Sequence, residues 1–175
     1  MSCFPIKKFQ GQVYTFAHLN GETREINYEI DGIAKKIIID VTFGWHCFTE
    51  TFDSNIHNQE HVYKHKDHIR AFNLERYECS QHLPSSLDRL MNGLVYRSNQ
   101  NFTYVLQIQI STSKGNVPYS IFFSLSNIRK SNKLHSNKIV LDLYVKSAYL
   151  THLKSGKNAQ NARFRKIAGE TAGFF

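Results

Sequence analysis

The sequence predicts an α+β fold in which an antiparallel sheet of about six strands, arranged as two meanders, carries one or two short helices. The first indication is the stretch 138–150, KIVLDLYVKSAYL, where apolar and polar side chains alternate with the period of a half-buried strand. The second is a series of β-branched and aromatic runs separated by turn residues, with one segment of helical spacing among them. We expect one domain over residues 1–150, followed by a basic C-terminal tail over 151–175.

The first part of the chain predicts three antiparallel strands, over residues 12–19, 24–30 and 36–43. Asn20-Gly21 and Asp31-Gly32 separate them, and such pairs are typical of the tightest hairpin turns. Residues 37–39 are three consecutive isoleucines. This run predicts that the third strand is central and covered on both faces.

Four histidines lie in the most polar stretch, residues 52–76, at spacings of four, four and three residues: His57, His61, His65 and His68. In a helix they would share one face, and histidines four residues apart are a known zinc-binding arrangement. A solvated loop or surface helix fits the same composition, and the stretch contains no HExxH motif. A zinc-stabilised fold is therefore an alternative, while we favour a protein with no metal and no cofactor.

The clearest helix is predicted over residues 83–93. Pro84 lies near its first turn, where a missing N–H costs nothing, and Gly93 is suited to the left-handed position that ends a helix. The stripe that should pack on the sheet consists of Leu83, Leu87, Leu90 and Met91.

A second meander of three strands is predicted over residues 102–111, 119–128 and 138–150. In the last of these strands the apolar row formed by alternate residues 139–145 continues into Ser147 and Tyr149. Two hydroxyl groups would thus extend the buried face where the strand leaves the core. This strand end is a candidate position for functional side chains.

Charge and cysteine content restrict the classes of partner and compartment. The 175-residue chain has 22 Lys and Arg against 14 Asp and Glu, a formal net charge of +8, which favours nucleic acid as a partner ahead of an anionic membrane surface. Three cysteines without CxxC spacing indicate a reducing compartment, so we expect a cytoplasmic protein. No apolar run of about 18 residues exists, so we expect no membrane partner.

Motif content argues against several classes of enzyme. The chain contains no Walker loop, no GxGxxG, no GxSxG and no paired-carboxylate motif, so metal-dependent nuclease chemistry has little support. Metal-independent RNA cleavage needs a base, a cation for the phosphorane charge and an acid, roles that His, Arg, Lys and Tyr can fill. The catalytic candidates are His46, His68, Arg76 and Tyr149. The candidates for substrate binding are Arg70, Tyr77, Ser147, Lys154, Arg163 and Arg165.

Three blocks carry a resemblance to a known group: FGWHCFTE at 43–50, RYECSQHLP at 76–84 and VKSAYL at 145–150. They resemble small bacterial proteins described as stationary-phase growth adaptation proteins, often found on mobile elements. More distantly, a helix followed by long antiparallel strands ending in Ser-Ala-Tyr is similar to the barnase, EndoU, colicin and RelE-like ribonuclease toxins. Those families place His, Arg or Lys, and Ser, Thr or Tyr on the sheet face, which His68, Arg76, Ser147 and Tyr149 match.

The resemblance implies a toxin-type RNA endonuclease of a bacterial mobile element, with an antitoxin or another protein as a possible partner. In that interpretation Arg76 neutralises the phosphate, His68 or His46 acts as general base or acid, and Tyr149 orients the substrate or donates a proton. The alternative is a non-catalytic nucleic-acid-binding or protein-interaction module that binds through its aromatic residues and basic tail. Binding of that kind would weaken gradually as tail lysines are removed and would depend steeply on salt.

Overall fold

A computed structural model describes residues 4–97, 103–128, 139–151 and 161–175 of the chain, and the architecture is α+β as predicted. The elements of these described parts follow in the order β1 Lys7–Phe9, β2 Gln12–Tyr14, β3 Glu22–Ile30, β4 Ile33–Phe43, β5 Thr49–Glu50, β6 Val62–His65, β7 His68–Phe72, α1 Leu74–Ser80, α2 Leu83–Asn92, β8 Leu94–Arg97, β9 Tyr104–Thr112, β10 Gly115–Asn127, β11 Ile139–Leu150, β12 Asn161–Arg163 and α3 Phe164–Ala172. Short 3₁₀ turns occur at Ala17–Leu19, Trp45–Cys47 and Gln59–His61.

The largest sheet has seven strands within the described residues, in the order β12-β8-β9-β10-β11-β4-β3. The predicted second meander, β9–β10–β11, and the hairpin β3–β4 are both confirmed as antiparallel units. They meet in a parallel pair, in which Ile37 lies opposite Ile139 and Phe43 lies opposite Val145. The expectation of about six purely antiparallel strands is therefore wrong. A long connection permits this parallel pairing, because the chain must cross over before it can return in the same direction.

The first predicted strand, residues 12–19, does not belong to this sheet. Its beginning, β2, pairs with β1 in a separate two-stranded ladder, and its end is the 3₁₀ turn Ala17–Leu19. Asn20-Gly21 consequently leads into β3 without closing a hairpin. The second turn is as predicted, because Asp31 and Gly32 adopt φ values of 53° and 73°, the left-handed conformation that a two-residue hairpin turn requires.

The histidine-rich stretch is not a helix with one histidine face. Its second half forms the hairpin β6–β7, which joins β5 in a three-stranded sheet of order β5-β7-β6. Tyr63, Ala71 and Phe72 from these strands are buried in the core, so the period of two prevails over the spacing of the histidines. His65 and His68 lie opposite each other in the ladder.

The predicted helix is confirmed as α2, with Pro84 in its first turn and the apolar stripe buried. Gly93 is extended, with φ −89° and ψ 172°, and is not left-handed as expected. The chain passes directly from α2 into β8, so no left-handed residue is needed to reverse its direction at Gly93. A Cβ at Gly93 would lie 2.5 Å from the carbonyl oxygen of Arg89, so this close approach is what requires glycine.

The range expected to be a basic tail contains two elements of the fold. Strand β12 pairs with β8, and α3 packs against α2, β10 and β11. Phe164 and Ala168 are fully buried, and Ile167 is nearly so. Residues 161–172 therefore complete the core, and their basic side chains lie on the outer side of an amphipathic helix.

No helix in the described parts of the chain is both long enough and apolar enough to cross a membrane. Their buried residues form a continuous hydrophobic cluster that runs from the large sheet into the small one. The short segment between β4 and β5 lies at this junction.

Candidate functional site

The end of β4 comes unusually close to β11. The backbone N–H of Gly44 donates to the carbonyl oxygen of Val145 at 2.7 Å. A Cβ at position 44 would lie 2.6 Å from the hydroxyl of Tyr144 and 2.8 Å from the carbonyl oxygen of Lys146, so only glycine fits. The 3₁₀ turn Trp45–Cys47 begins at this contact and directs the following residues across the strand ends.

Cys47 in that turn is fully buried, and burial raises the pKa of its thiol to about 12. The thiol is therefore a packing group, because only a thiolate is a good nucleophile.

Arg76 is held between the turn and the end of β11. Asn73 caps the start of helix α1, and its side-chain oxygen accepts from the backbone N–H of Arg76 at 2.8 Å. The Nη1 group of Arg76 donates to the carbonyl oxygens of Thr49, at 2.9 Å, and His46, at 3.3 Å. The guanidinium lies 4.8 Å from the ring centroid of Tyr149, a cation–π distance. Two residues predicted to be catalytic, Arg76 and Tyr149, are thus in direct contact.

A β-bulge determines how Tyr149 is presented. The register between β10 and β11 shifts between Phe122 and Phe123, so the alternation of buried residues reverses along β11. Ala148 is fully buried, while Ser147 and Tyr149 are only half-buried and do not continue the buried row as expected. The ring of Tyr149 stacks on Phe122 at 5.1 Å, which places it between that ring and the guanidinium of Arg76.

Glu50 and His57 form a carboxylate–imidazole pair that the sequence analysis did not identify. Nε2 of His57 lies 3.0 Å from Oε1 of Glu50, and Nδ1 of His57 accepts from the backbone N–H of Asp53 at 2.9 Å. Because Nδ1 is an acceptor, Nε2 carries the proton and donates to Glu50. His57 is only 8% exposed, so it holds the Glu50 carboxylate in position from the buried side.

The pKa of Glu50 is lowered from its usual value. Burial alone would raise it, but hydrogen bonds from the side chains of Asn73 and His57 and the positive charge of Arg76 outweigh burial. Glu50 is consequently ionised at neutral pH and can accept a proton. One signal of this role is present in the sequence, since Glu50 ends the block at 43–50 in a chain with few acidic residues.

These groups meet in a pocket of ≈170 Å³, called here the Arg76 pocket, which is lined by Glu50, Asn73, Glu75, Arg76, Cys79, Tyr149 and Leu150. It brings a guanidinium and a phenol together with two carboxylates, of which Glu75 is paired with Lys114. Such a set can accept a proton, stabilise an anion and donate a proton.

His46 and Arg70 lie beside this pocket. The pKa of the His46 imidazole is lowered by burial and by the charges of Arg70 and Arg76, so His46 is neutral at neutral pH. Arg70 donates from Nε to Oγ1 of Thr49 at 2.9 Å, and its guanidinium lies 5.7 Å from the Trp45 ring centroid. Thr49 therefore connects the two arginines, one through its hydroxyl and the other through its carbonyl oxygen.

His68 lines a different pocket. It lies 6.2 Å from the Trp45 ring, in a pocket of ≈540 Å³, called here the Trp45 pocket, and it does not line the Arg76 pocket. The predicted catalytic set is thus divided between two neighbouring pockets, with Arg76 and Tyr149 in one and His68 in the other.

The predicted substrate-binding residues outside these pockets have other contacts. Tyr77 donates to the carbonyl oxygen of Thr15 at 3.0 Å and packs in the aromatic core. Arg165 donates to the carbonyl oxygen of Asn27 and lies 5.1 Å from the Tyr28 ring, so it fastens α3 to β3. Arg163 is exposed at the start of α3, and Lys154 lies outside the described residues.

Across residues 4–97, 103–128, 139–151 and 161–175, no three His, Cys, Asp or Glu side chains converge in a way that could hold a metal ion. The rings of His57 and His61 lie 5.2 Å apart, but both ring nitrogens of His57 already have protein partners.

The sequence of the chain matches the model of a known protein family. Neither the curated proteins nor the solved structures contain a match to this chain. The model of the YjaZ family, in contrast, matches residues 6–172, from β1 to the end of α3. Because this match covers almost the whole chain, the protein belongs to the YjaZ family.

Proposed function

We propose that the Arg76 pocket cleaves RNA without a metal ion. The observation that carries the proposal is the joint presence of the Arg76 guanidinium, the Tyr149 phenol and an ionised Glu50 in one pocket. The formal net charge of +8 supports a polyanionic substrate. The role of base thus passes from the histidines of the sequence analysis to Glu50.

Arg76 is suited to the charge that develops on phosphorus. Both of its backbone hydrogen bonds use Nη1, and a guanidinium carries five N–H donors. Nη2 and Nε are therefore the groups that would take the phosphate oxygens. Because two carbonyl groups and an aromatic ring hold the guanidinium in place, little reorganisation is needed when the charge develops.

The proposed reaction is a transesterification within the RNA backbone, in which phosphorus exchanges its bond to the 5′-oxygen for a bond to the 2′-oxygen. The Glu50 carboxylate removes the proton of a ribose 2′-hydroxyl, and the oxygen so formed attacks the adjacent phosphorus. Arg76 stabilises the phosphorane, and the bond from phosphorus to the 5′-oxygen breaks as Tyr149 donates its proton to that oxygen. The products are a 2′,3′-cyclic phosphate and a 5′-hydroxyl end, and no metal or external reductant is consumed.

The test measures cleavage of a single-stranded RNA oligonucleotide of mixed sequence in the presence of EDTA. Glu50→Gln and Tyr149→Phe are expected to reduce the rate by about 10²- to 10⁴-fold, because each removes one proton-transfer group. Arg76→Lys keeps the charge but loses the planar fork, so we expect slower cleavage with RNA binding retained. Glu25→Gln is the charge-matched control, since Glu25 lies on β3, pairs with Lys36 of β4 and does not line the Arg76 pocket.

Folded wild-type protein that leaves RNA intact would overturn the proposal, as would equal rates for wild type and Glu50→Gln. A gel-shift assay on the same samples identifies the alternative function. If uncut RNA is bound with a steep salt dependence, the chain is a non-catalytic nucleic-acid-binding module.

A further inference from the structure

The Trp45 pocket is large enough for a nucleotide. Its volume is ≈540 Å³, within the usual range for small-molecule sites, and the residues that matter for recognition are Phe43, Trp45, His65, Lys66, His68 and Tyr144. None of the described residues that line it is an Asp or Glu. The pocket therefore combines aromatic walls with cationic or neutral polar groups, a composition that suits an anion carrying an aromatic ring.

Three of the rings that line the pocket come from the 3₁₀ turn and from the β6–β7 hairpin. The Trp45 ring lies 5.6 Å from His65 and 6.2 Å from His68. These two histidines are opposite each other in the β6–β7 ladder, so the hairpin presents both to the indole. Stacking on such rings is how proteins hold the bases of single-stranded nucleic acids.

The tip of the same hairpin supplies a cation and a neutral imidazole to the pocket. Lys66 lines the pocket and adopts φ 53°, a left-handed conformation that is unusual for a residue other than glycine and that closes the turn between the two histidines. The pKa of His65 is lowered by burial and by the charge of Lys66. His65 is thus neutral at neutral pH, with one donor and one acceptor nitrogen available for the edge of a base.

One short segment links this pocket to the Arg76 pocket. Trp45 forms a wall of the first pocket, and the carbonyl oxygens of His46 and Thr49 bind Arg76 of the second. Arg70 lies over the Trp45 ring and donates to the hydroxyl of Thr49. The two pockets are therefore on either side of residues 45–49, the relation expected of neighbouring subsites on one strand of RNA.

We propose that the Trp45 pocket binds one purine base of the RNA strand that is cut in the Arg76 pocket. The inference rests on the proposed function for its role as a subsite. A purine is favoured over a pyrimidine because its larger ring system stacks more strongly and uses more of the available volume.

The only tryptophan of the chain reports on its own pocket, so intrinsic fluorescence is the assay. Guanosine and adenosine 5′-monophosphates should quench it saturably, and ribose 5-phosphate, which lacks the base, should not. His68→Ala and Lys66→Gly are expected to weaken binding by about tenfold or more, and glycine preserves the left-handed turn at position 66. Lys64→Ala is the matched control, because Lys64 directly precedes His65 in β6 and successive side chains of a strand point to opposite faces.

A second measurement compares oligoadenylate with oligouridylate as cleavage substrates. Wild type should prefer oligoadenylate, and Trp45→Leu should bring the ratio of the two cleavage rates towards one. Lack of saturable quenching by the purine nucleotides, or equal quenching by ribose 5-phosphate, would overturn the inference.

The binding of a purine in the Trp45 pocket and the cleavage of RNA in the Arg76 pocket can be tested separately, because Glu50→Gln should abolish cleavage without changing the quenching by purine nucleotides. Quenching by purine nucleotides in a protein that does not cut RNA supports the base-binding pocket and removes only the cleavage chemistry. Cleavage of both oligonucleotides at equal rates, unchanged by Trp45→Leu, removes only the pocket.

Discussion

The two main sheets differ in the side chains that cover them. Around the β4–β11 pair the seven-stranded sheet has an aliphatic core, in which Ile37, Ile39, Leu141, Leu143 and Val145 are fully buried. The three-stranded sheet instead rests on an aromatic cluster that includes Phe4, Phe16, Phe48, Tyr63 and Phe72. Aromatic rings attract cations at their faces and polar groups at their edges through the ring quadrupole, whereas aliphatic side chains make no such electrostatic interaction. The aliphatic sheet therefore serves as scaffold, and most candidate functional groups lie in or beside the aromatic region.

The largest expected effect tests the scaffold. Leu143→Ala should lower the free energy of unfolding by about 2–5 kcal/mol, because it leaves a cavity in a fully packed strand. The remaining folded protein should cleave RNA at the wild-type rate. Urea unfolding together with the rate per folded molecule measures both quantities, and a loss of stability below about 1 kcal/mol would show that the aliphatic sheet is not the main source of stability.

The matching change in the aromatic region should affect activity more than stability. Phe48 is fully buried, with ring centroids 5.1 Å from both Phe4 and Tyr63. Phe48→Leu should cost only about 1–2 kcal/mol of unfolding free energy, since most of the volume is kept. Cleavage should fall further than this loss explains, because the carbonyl oxygen of Phe48 accepts from the backbone N–H of Asn73, the cap of the helix that carries Arg76. An unchanged rate would contradict the division between the two regions.

Acid should weaken the aromatic region through His18. Burial lowers its pKa from 6.5 to about 4, and its Nε2 lies 2.7 Å from the hydroxyl of Ser80. Because the unfolded chain takes up the proton more readily, this contribution to stability is present above pH 6.5 and is lost as the pH falls towards about 4.

The melting temperature of wild type should therefore decline over that interval more steeply than the melting temperature of His18→Gln. Parallel declines would exclude His18 as the cause. The lowered pKa of Glu50 acts at more acidic pH, below the usual carboxyl value of 4.5, and so overlaps only the acidic end of the His18 interval.

The smallest expected effect concerns the surface of the large sheet. Nζ of Lys36 lies 2.8 Å from Oε2 of Glu25, and about half of each side chain is exposed. Lys36→Ala should change the free energy of unfolding by less than about 1 kcal/mol, and by less still in high salt. Urea unfolding at two salt concentrations checks this, and a large loss would show that the outer strands contribute more to the scaffold than the buried isoleucines suggest.

Local patterns predicted the elements whose partners are near in sequence. The meander β9–β11, the hairpin β3–β4 and helix α2 follow from alternation, turn residues and an apolar stripe. The parallel pairing of β4 with β11 has no local signal, because it joins segments separated by more than half of the chain. Helix α3 was not predicted, because Arg165 and Lys166 made the segment look like a basic tail. The apolar residues Phe164 and Ile167, which are buried at helical spacing, were therefore overlooked.

The candidate site was predictable only in part. Arg76 and Tyr149 were both chosen from sequence, and the structure brings them into contact. The pairing of Glu50 with His57 was not foreseen, because it depends on how the chain returns between β5 and the turn at Gln59. The helical spacing of the four histidines suggested a helix with one histidine face. In the structure His65 and His68 instead lie opposite each other across the β6–β7 hairpin.

The parallel pair β4–β11 has a consequence for synthesis on the ribosome. The isoleucine-rich strand β4 emerges early, but its neighbour β11 is made only after more than half of the chain has followed. Until then the edge of β4 that β11 later covers exposes unpaired backbone N–H and C=O groups, and such edges pair with strands from other molecules. Slow translation of the second half should thus favour aggregation, and chaperones that bind extended apolar segments would be needed most in the interval before β11 leaves the ribosome.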